Sequence, residues 1–249
     1  GEAAGGTLMI HVRVSAVCRL RDGFTGRPIP LGAASCSLDG RRLRPVEKPG
    51  GYLILTDLPP GRHLLVLRAA GYQEERTELE TGERILETDV TLKPGAGYPL
   101  PPGAARLELR VTQKKSPAAD RLIWLASPGG AELKLAQTRA AAGEDSFRLF
   151  RRGTAAPVQG DHLLCDGKNS EIVTLRELIG ETASLAAPLA RDHGRGCVLL
   201  PAQRYRTDEA GALRAAFRAA CTAEVYAPER GLIASLALAA GENQQTVSI

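Results

Sequence analysis

The sequence predicts an all-β protein built from two β-sandwiches, the second of which is interrupted by a small inserted β-barrel. Short apolar stretches alternate with polar residues at a period of two, which is typical of half-buried strands. Turn residues follow at a spacing of about 8 to 12 residues, as in sandwiches. The pattern of the first third of the chain then returns later in two separated pieces. These three observations give the fold class.

The composition is that of a globular protein with a sizeable core. The 249 residues are 43% hydrophobic, 24% charged and only 4% aromatic, so the core must consist of aliphatic residues. No apolar run approaches the roughly 20 residues that a bilayer-spanning helix needs. The 32 basic residues are scattered among 28 acidic ones, and the net charge of +4 does not predict nucleic-acid binding. Disorder, collagen and a long coiled coil are also excluded.

Five segments supply the strands of the first predicted sandwich, residues 9–95. Apolar residues alternate with small or polar ones in these segments, and turn signals such as Asp39-Gly40 and Leu58-Pro59-Pro60-Gly61 separate them. The segments are 9–20, 33–38, 52–56, 63–69 and 79–92.

Four motifs in this region resemble the carboxypeptidase regulatory-like, or transthyretin-like, β-sandwich family. They occur in the family's order: Asp22 with Thr25-Gly26-Arg27-Pro28-Ile29, then Gly50-Gly51-Tyr52, Leu58-Pro59-Pro60-Gly61-Arg62-His63 and Ala69-Ala70-Gly71-Tyr72. His63 departs from the Tyr or Thr that is usual in the family. The resemblance implies a sandwich in which Tyr72 caps the core, and a protein that supports, spaces or binds rather than catalyses.

A Pro/Gly-rich segment, residues 96–105, is predicted to be a semi-rigid linker. After it, 106–112 resembles the first strand of the chain and 121–125 takes the place of the second, whereas the closing strands return only at 207–249. We therefore expect a second sandwich formed by 106–135 plus 201–249. For 209–221 a strand and an amphipathic helix with Leu213, Phe217 and Cys221 on one face both stay open.

The intervening residues 136–200 are predicted to form the inserted β-barrel, since loop tips tolerate insertions. The segment contains Gly160-Asp161, Asp166-Gly167, a strand at 171–175, and His193, Gly196 and Val198. This order resembles small β-barrels of phage-tail and contractile-injection particle proteins. The resemblance implies a structural component of such an assembly.

No catalytic, cofactor-binding or metal-binding residues are predicted. Phosphate loops, nucleophile elbows and the H-E-x-x-H motif are missing from the sequence. His162 and His193 lie near Asp161, Asp166 and Asp192 in the insert, where a metal or acid–base site is conceivable. The alternative is a structural role for these acids, since Asp161 and Asp192 are typical turn residues and Glu171 has the position of a strand-face residue.

The remaining histidines, His11 and His63, are isolated in the sequence, and the five cysteines form no C-x-x-C pair. Two interpretations of the cysteines stay open. They are buried reduced thiols of a cytoplasmic protein, or Cys18–Cys36 or Cys165–Cys197 forms a bridge. The basic patches 41–44 and 148–152 are interpreted as solvated hairpin faces.

Together these features predict a non-enzymatic structural or adaptor protein of a phage-tail-like or contractile injection assembly. Its partners are expected to be other protein subunits, including copies of itself, with no small-molecule substrate and no nucleic acid, and assembly is expected in the cytoplasm. The alternative is a secreted or cell-surface module that binds glycan or protein. A third hypothesis, an enzyme that uses the insert, requires His162, His193 and the acids to converge.

Overall fold

The computed structural model describes residues 12–29, 34–153 and 159–249. The predicted strand residues 9–11, Ala33 and Val158 lie outside this range. The chain divides into two compact units, Gly1–Leu100 and Pro101–Ile249, so the division falls within the predicted linker. The described residues contain no helix long and apolar enough to cross a membrane.

The first unit consists of eight strands in its described part. They are β1 (Val14–Asp22), β2 (Ala34–Leu38), β3 (Arg41–Leu43), β4 (Val46–Lys48), β5 (Tyr52–Thr56), β6 (Gly61–Ala69), β7 (Glu75–Thr81) and β8 (Leu86–Leu92).

These strands form a two-layer sandwich. One sheet has the order β4-β5-β1-β8 and the other β3-β2-β6-β7. Within the first sheet β1 is antiparallel to β5 and parallel to β8. Alternate residues of both sheets point inward, and Cys18, Leu55, Leu67, Leu79 and Leu92 are among the core residues. The predicted period of two therefore creates one apolar face per sheet.

The side chain of Asp22 connects two of the four motifs, the one at 22–29 and the one that ends at Tyr72. This carboxylate is 8% exposed and accepts hydrogen bonds from the backbone N–H of Phe24 at 2.7 Å and of Thr25 at 3.0 Å. It also accepts from the hydroxyls of Tyr72 at 3.0 Å and Tyr98 at 2.6 Å. Tyr98 belongs to the predicted linker but is buried in this unit. Tyr72 packs against the core, as the resemblance implies.

The second unit contains fifteen strands and one 3-10 turn, Gly167–Asn169, in its described part. The strands are β9 (Ala105–Gln113), β10 (Ser116–Pro117), β11 (Leu122–Ala126), β12 (Glu132–Leu135), β13 (Arg139–Ala140), β14 (Ser146–Arg152), β15 (Gly160–Cys165), β16 (Glu171–Ile179), β17 (Thr182–Leu185), β18 (His193–Gly194), β19 (Val198–Arg206), β20 (Ala212–Phe217), β21 (Cys221–Ala227), β22 (Gly231–Leu238) and β23 (Gly241–Ser248).

Six of these strands repeat the pairing scheme of the first unit. β9 is antiparallel to β20 and parallel to β23, as β1 is to β5 and β8. β21 lies between β11 and β22, as β6 lies between β2 and β7. Residues 212–217 and 221–227 are strands, so the helical alternative for 209–221 is wrong. The all-β fold class is confirmed.

Two glycines make the repetition visible at single-residue level. The N–H of Leu20 donates to the carbonyl of Gly51, and the N–H of Val111 donates to that of Gly211, both at 2.8 Å. Both glycines have positive φ, 79° and 71°. A Cβ on Gly51 would lie 2.8 Å from the Leu20 carbonyl oxygen, and one on Gly211 would lie 2.6 Å from that of Val111. Each close approach requires glycine.

Between β11 and β20 the chain forms a closed ring of six strands in the order β12-β14-β17-β16-β15-β19. The ring closes because β19 pairs with β15 on one side and with β12 as well. Its apolar interior includes Leu135, Phe147, Leu164, Leu175 and Leu199.

The strand β19 belongs to both parts of the second unit. Residues 198–201 pair with β15 in the barrel, and residues 202–206 pair with β11 of the sandwich. A second junction is polar: the indole N–H of Trp124 donates to Asp161 at 3.1 Å, and Asp161 also accepts from the Thr174 hydroxyl at 2.7 Å. The barrel and sandwich thus share a backbone ladder and a partly buried polar seam.

Candidate functional site

A buried histidine of the barrel, His193, lies between two carboxylates. The side chain of His193 is 0% exposed. Its Nε2 lies 2.7 Å from Glu171 Oε1 and its Nδ1 lies 3.1 Å from Asp166 Oδ2. The three residues come from β18, the start of β16 and the turn after β15. Strand pairing therefore assembles residues that are distant in sequence.

Backbone hydrogen bonds fix Glu171 in this cluster. Its Oε2 accepts from the N–H of Ala190 and its Oε1 from the N–H of Arg191, both at 3.0 Å. The Arg191 guanidinium donates in turn to the carbonyls of Lys168 and Ser170. The 8%-exposed carboxylate is thereby fully engaged. Glu171 begins β16, in agreement with the strand predicted at 171–175, and its carboxylate is a buried hydrogen-bond acceptor.

Cys197 completes the cluster. One side-chain donor atom each of Asp166, His193 and Cys197 lies within 4.8 Å of the others. Burial raises the pKa of the Cys197 thiol, and the neighbouring Asp166 carboxylate raises it further. Cysteine nucleophiles have a lowered pKa because the thiolate is the reactive form. The arrangement therefore does not suit nucleophilic catalysis by Cys197.

The other histidine of the insert is held separately. His162 is 1% exposed, its Nδ1 lies 3.0 Å from the carbonyl of Gly160, and its Nε2 is buried without a hydrogen-bond partner. Burial lowers the pKa of His162. The structure thus assembles His193, Asp166, Glu171 and Cys197, and leaves His162 outside that group.

Two of the predicted turn aspartates have different roles. Asp192 accepts from the backbone N–H of Ala142 at 2.8 Å and pairs with Arg139 at 2.6 Å, so it stabilises a turn as expected. Asp161 instead bonds two side chains at the seam described above. Sequence reasoning named Asp166 and His193 and missed Glu171 and Cys197 as members of the cluster.

The remaining histidines and the other cysteines lie apart from this cluster or outside the described residues. His63 contacts the Asp39 carboxylate at 2.7 Å and the Pro59 carbonyl at 2.9 Å, and His11 is not among the residues described. All five cysteines are free thiols. Burial raises the pKa of Cys18 to about 11 and that of Cys165 to about 12.

The sheet edges differ strongly in charge. β7 carries Glu75, Arg76, Glu78 and Glu80, which discourages pairing with another strand. β22, its counterpart in the second unit, has the sequence Gly-Leu-Ile-Ala-Ser-Leu-Ala-Leu without a charged residue. Within the described residues β22 pairs with β21 alone. It is therefore a long, uncharged strand at the end of its sheet.

The two basic patches lie apart from the His193 cluster in sequence and consist of exposed arginines. Arg41 and Arg42 are exposed on the short edge strand β3. On β14, Arg148, Arg151 and Arg152 are exposed, and Arg148 pairs with Glu181 at 2.6 Å. These arginines lie on solvated strand faces.

No protein-family model matches the chain, and no curated protein matches it either. Solved structures with similarity include BcpA, the major pilin subunit of Bacillus cereus, at 8% identity, with 96% of this chain and 99% of that chain covered and a TM-score of 0.26. The shaft pilin spaA from Lactobacillus rhamnosus GG has 9% identity, covers 96% and 97%, and has a TM-score of 0.26. The minor pilin GBS52 of Streptococcus agalactiae has 10% identity, covers 95% and 94%, and has a TM-score of 0.22. Likeness at these TM-scores establishes no function.

Proposed function

We propose that this chain is a non-enzymatic structural or adaptor protein that assembles with further copies of itself through the edge strand β22. The observation that carries the proposal is the uncharged eight-residue edge described above. Sheets recruit another strand by offering unpaired backbone groups, and proteins that avoid this place charges or prolines there. β22 has neither.

The composition of β22 fits a second copy of the same strand. Leu232, Ile233 and Leu236 are half-buried, whereas Ser235 and Ala237 are exposed. Two such strands running antiparallel about a two-fold axis would place the small and apolar side chains of the two copies opposite one another, with no charge between them. An isologous contact of this kind forms a closed dimer. A closed pair also removes the exposed edge.

The mass of the purified full chain, measured by mass photometry across a dilution series, tests the proposal. We expect a dimer for the natural chain and a monomer for the double variant Ser235→Lys and Ala237→Lys, because two added charges on each strand would face their copies. The matched control places lysines at Glu78 and Glu80, which are exposed on β7. This control should stay dimeric.

A natural chain that is monomeric at all concentrations would contradict the proposal. So would a lysine variant of β22 that keeps the mass of the natural chain while its circular dichroism stays native.

We further propose, from the resemblances of the sequence, a carboxypeptidase regulatory-like sandwich over 106–135 plus 201–249 with 136–200 as its guest barrel. The first boundary moves to the loop before β12 (Glu132–Leu135), because β12 pairs with the barrel strands β14 and β19. On the same resemblances we propose that the chain is part of a phage-tail-like or contractile-injection-like assembly, which forms in the cytoplasm. Neighbouring genes for sheath, tube or baseplate proteins would support it. Recovery of the native protein from the cell surface would instead favour the secreted binding module.

A further inference from the structure

We propose that Asp166, His193 and Cys197 form a binding site for a divalent transition-metal ion of the Zn²⁺ type. The sequence predicts no metal, so this proposal departs from that expectation, and it is independent of the proposed assembly. It depends on the positions of three different donor atoms on the barrel.

The spacing of the donors suits one ion. Carboxylate O, imidazole N and thiol S of these residues lie within 4.8 Å of one another. Zinc binds such ligands at about 2.0 to 2.3 Å, which places tetrahedral ligands about 3.5 Å apart. The 4.8 Å is the upper limit of the three separations, and His193 Nδ1 and Asp166 Oδ2 lie only 3.1 Å apart.

Glu171 determines which imidazole nitrogen would bind. It engages Nε2 of His193 at 2.7 Å, whereas Nδ1, on the other side of the ring, lies 3.1 Å from Asp166 Oδ2. A carboxylate on the far nitrogen of a metal-bound histidine is the usual second layer of a zinc site, because it fixes the tautomer and the ring orientation. Two backbone N–H groups hold that carboxylate in place, as described above.

The donor atoms determine which ion the site prefers, and their exposure determines from which side the ion would enter. Thiolate with imidazole favours Zn²⁺ over the hard cations Mg²⁺ and Ca²⁺. The Asp166 side chain is 30% exposed and Cys197 is half-buried, whereas His193 is 0% exposed. An ion would enter from the Asp166 side. On binding, the sulfur–hydrogen bond of Cys197 breaks, a sulfur–metal bond forms, and the proton passes to the buffer. Water fills the fourth position.

The test uses the untagged full chain, reduced and stripped of metal by EDTA. Zn²⁺ alone is titrated by calorimetry, and Co²⁺ alone is followed by its thiolate charge-transfer absorption. We expect one ion per chain. Alkylation mapped by mass spectrometry should slow about tenfold or more at Cys197 when Zn²⁺ is present. Cys221, half-buried in the second sandwich, serves as the internal control and should not change.

Variants locate the site. Cys197→Ser and His193→Gln should abolish the cobalt–thiolate band, whereas Cys221→Ser and His63→Gln should keep it. If His193→Gln unfolds, Glu171→Gln and the partly exposed Asp166→Asn replace it, and each should weaken Zn²⁺ affinity about tenfold or more.

Failure of the natural chain to take up Zn²⁺ overturns the proposal. It is also overturned if uptake leaves the alkylation of Cys197 unchanged, or if Cys197→Ser, shown to be folded by circular dichroism, binds Zn²⁺ as the natural chain does.

Discussion

The two sandwiches share one pairing scheme but differ in what surrounds it. In the first unit β1, β5 and β8 pair as β9, β20 and β23 do in the second, and Gly51 matches Gly211. The first sandwich has a charged edge strand, β7, and a buried Asp22 with four donors. The second has an uncharged edge, β22, and a barrel joined to it through β19. The common ladder fixes the fold, and the differences mark where each unit is specialised.

The matched glycines give the largest expected effect. Gly51→Ala and Gly211→Ala should each lower the free energy of unfolding of their own unit by about 3 to 5 kcal/mol, because positive φ and a backbone clash add. Urea unfolding separates the units: the single tryptophan, Trp124, reports the second, and tyrosine emission from Tyr72 and Tyr98 reports mainly the first.

Gly40→Ala and Gly241→Ala are the controls. Both glycines have positive φ, but a Cβ on either meets nothing within 4 Å. They should lose only about 1 kcal/mol. If all four variants lose the same free energy of unfolding, the close backbone contact at Gly51 and Gly211 does not contribute to stability, and the prediction is wrong.

Substitution of Asp22 should have the next largest effect, and this effect should be confined to the first unit. Burial raises the pKa of Asp22, but the donors Tyr98, Thr25, Phe24 and Tyr72 lower it, with the net result below the ordinary value. Asp22→Ala should lower the free energy of unfolding of the first unit by about 3 kcal/mol, because four donors lose a charged acceptor. The second unit should be unaffected.

Asp89→Asn is the control for Asp22. Asp89 pairs with Arg19 at 2.6 Å, but its side chain is 44% exposed. Exposed pairs contribute about 0 to 1 kcal/mol. If this variant unfolds as readily as Asp22→Ala, the buried hydrogen bonds are not what stabilises the first unit.

The smallest effect is a difference in pH response. The Asp39 carboxylate and the Pro59 carbonyl raise the pKa of His63, so its stabilising contribution is complete below the ordinary value of 6.5 and is lost as the pH rises through the folded pKa. Burial lowers the pKa of His162, so the second unit loses stability as the pH falls below 6.5. Acidification should therefore increase the stabilising contribution of His63 to the first unit and decrease that of His162 to the second.

Urea unfolding at about pH 8 and about pH 5.5 measures this difference. The destabilisation caused by His63→Gln should grow toward the acidic value. The loss of second-unit stability on acidification should be smaller in His162→Gln than in the natural chain. If both differences are independent of pH, neither histidine has the shifted pKa described.

Local patterns predicted much of this fold. The sequence predicted a strand at 9–20, whose described part lies mostly in β1 (Val14–Asp22), and one at 52–56, which is β5 (Tyr52–Thr56), and turn residues indicated where they end. The returning pattern at 207–249 was visible because Gly211 needs the same backbone geometry as Gly51. Leucine spacing left 209–221 undecided, since Leu213 and Phe217 suit both a helix face and strand positions.

The cluster was less predictable because its members meet only through pairing between distant strands. The sequence analysis grouped Asp166 and His193 with other residues of the insert, but nothing local connects Glu171 to His193 or Cys197 to either. Tyr98 illustrates the same limit. A Pro/Gly-rich segment indicates a loop, whereas its tyrosine is buried on Asp22 through a contact that spans most of the first unit.

The shared strand β19 has a mechanical consequence. Its nine residues run without interruption from the barrel ladder into the sandwich ladder. A load applied to the guest domain would pass along this continuous backbone into its host. We therefore expect host and guest to rupture as a single element.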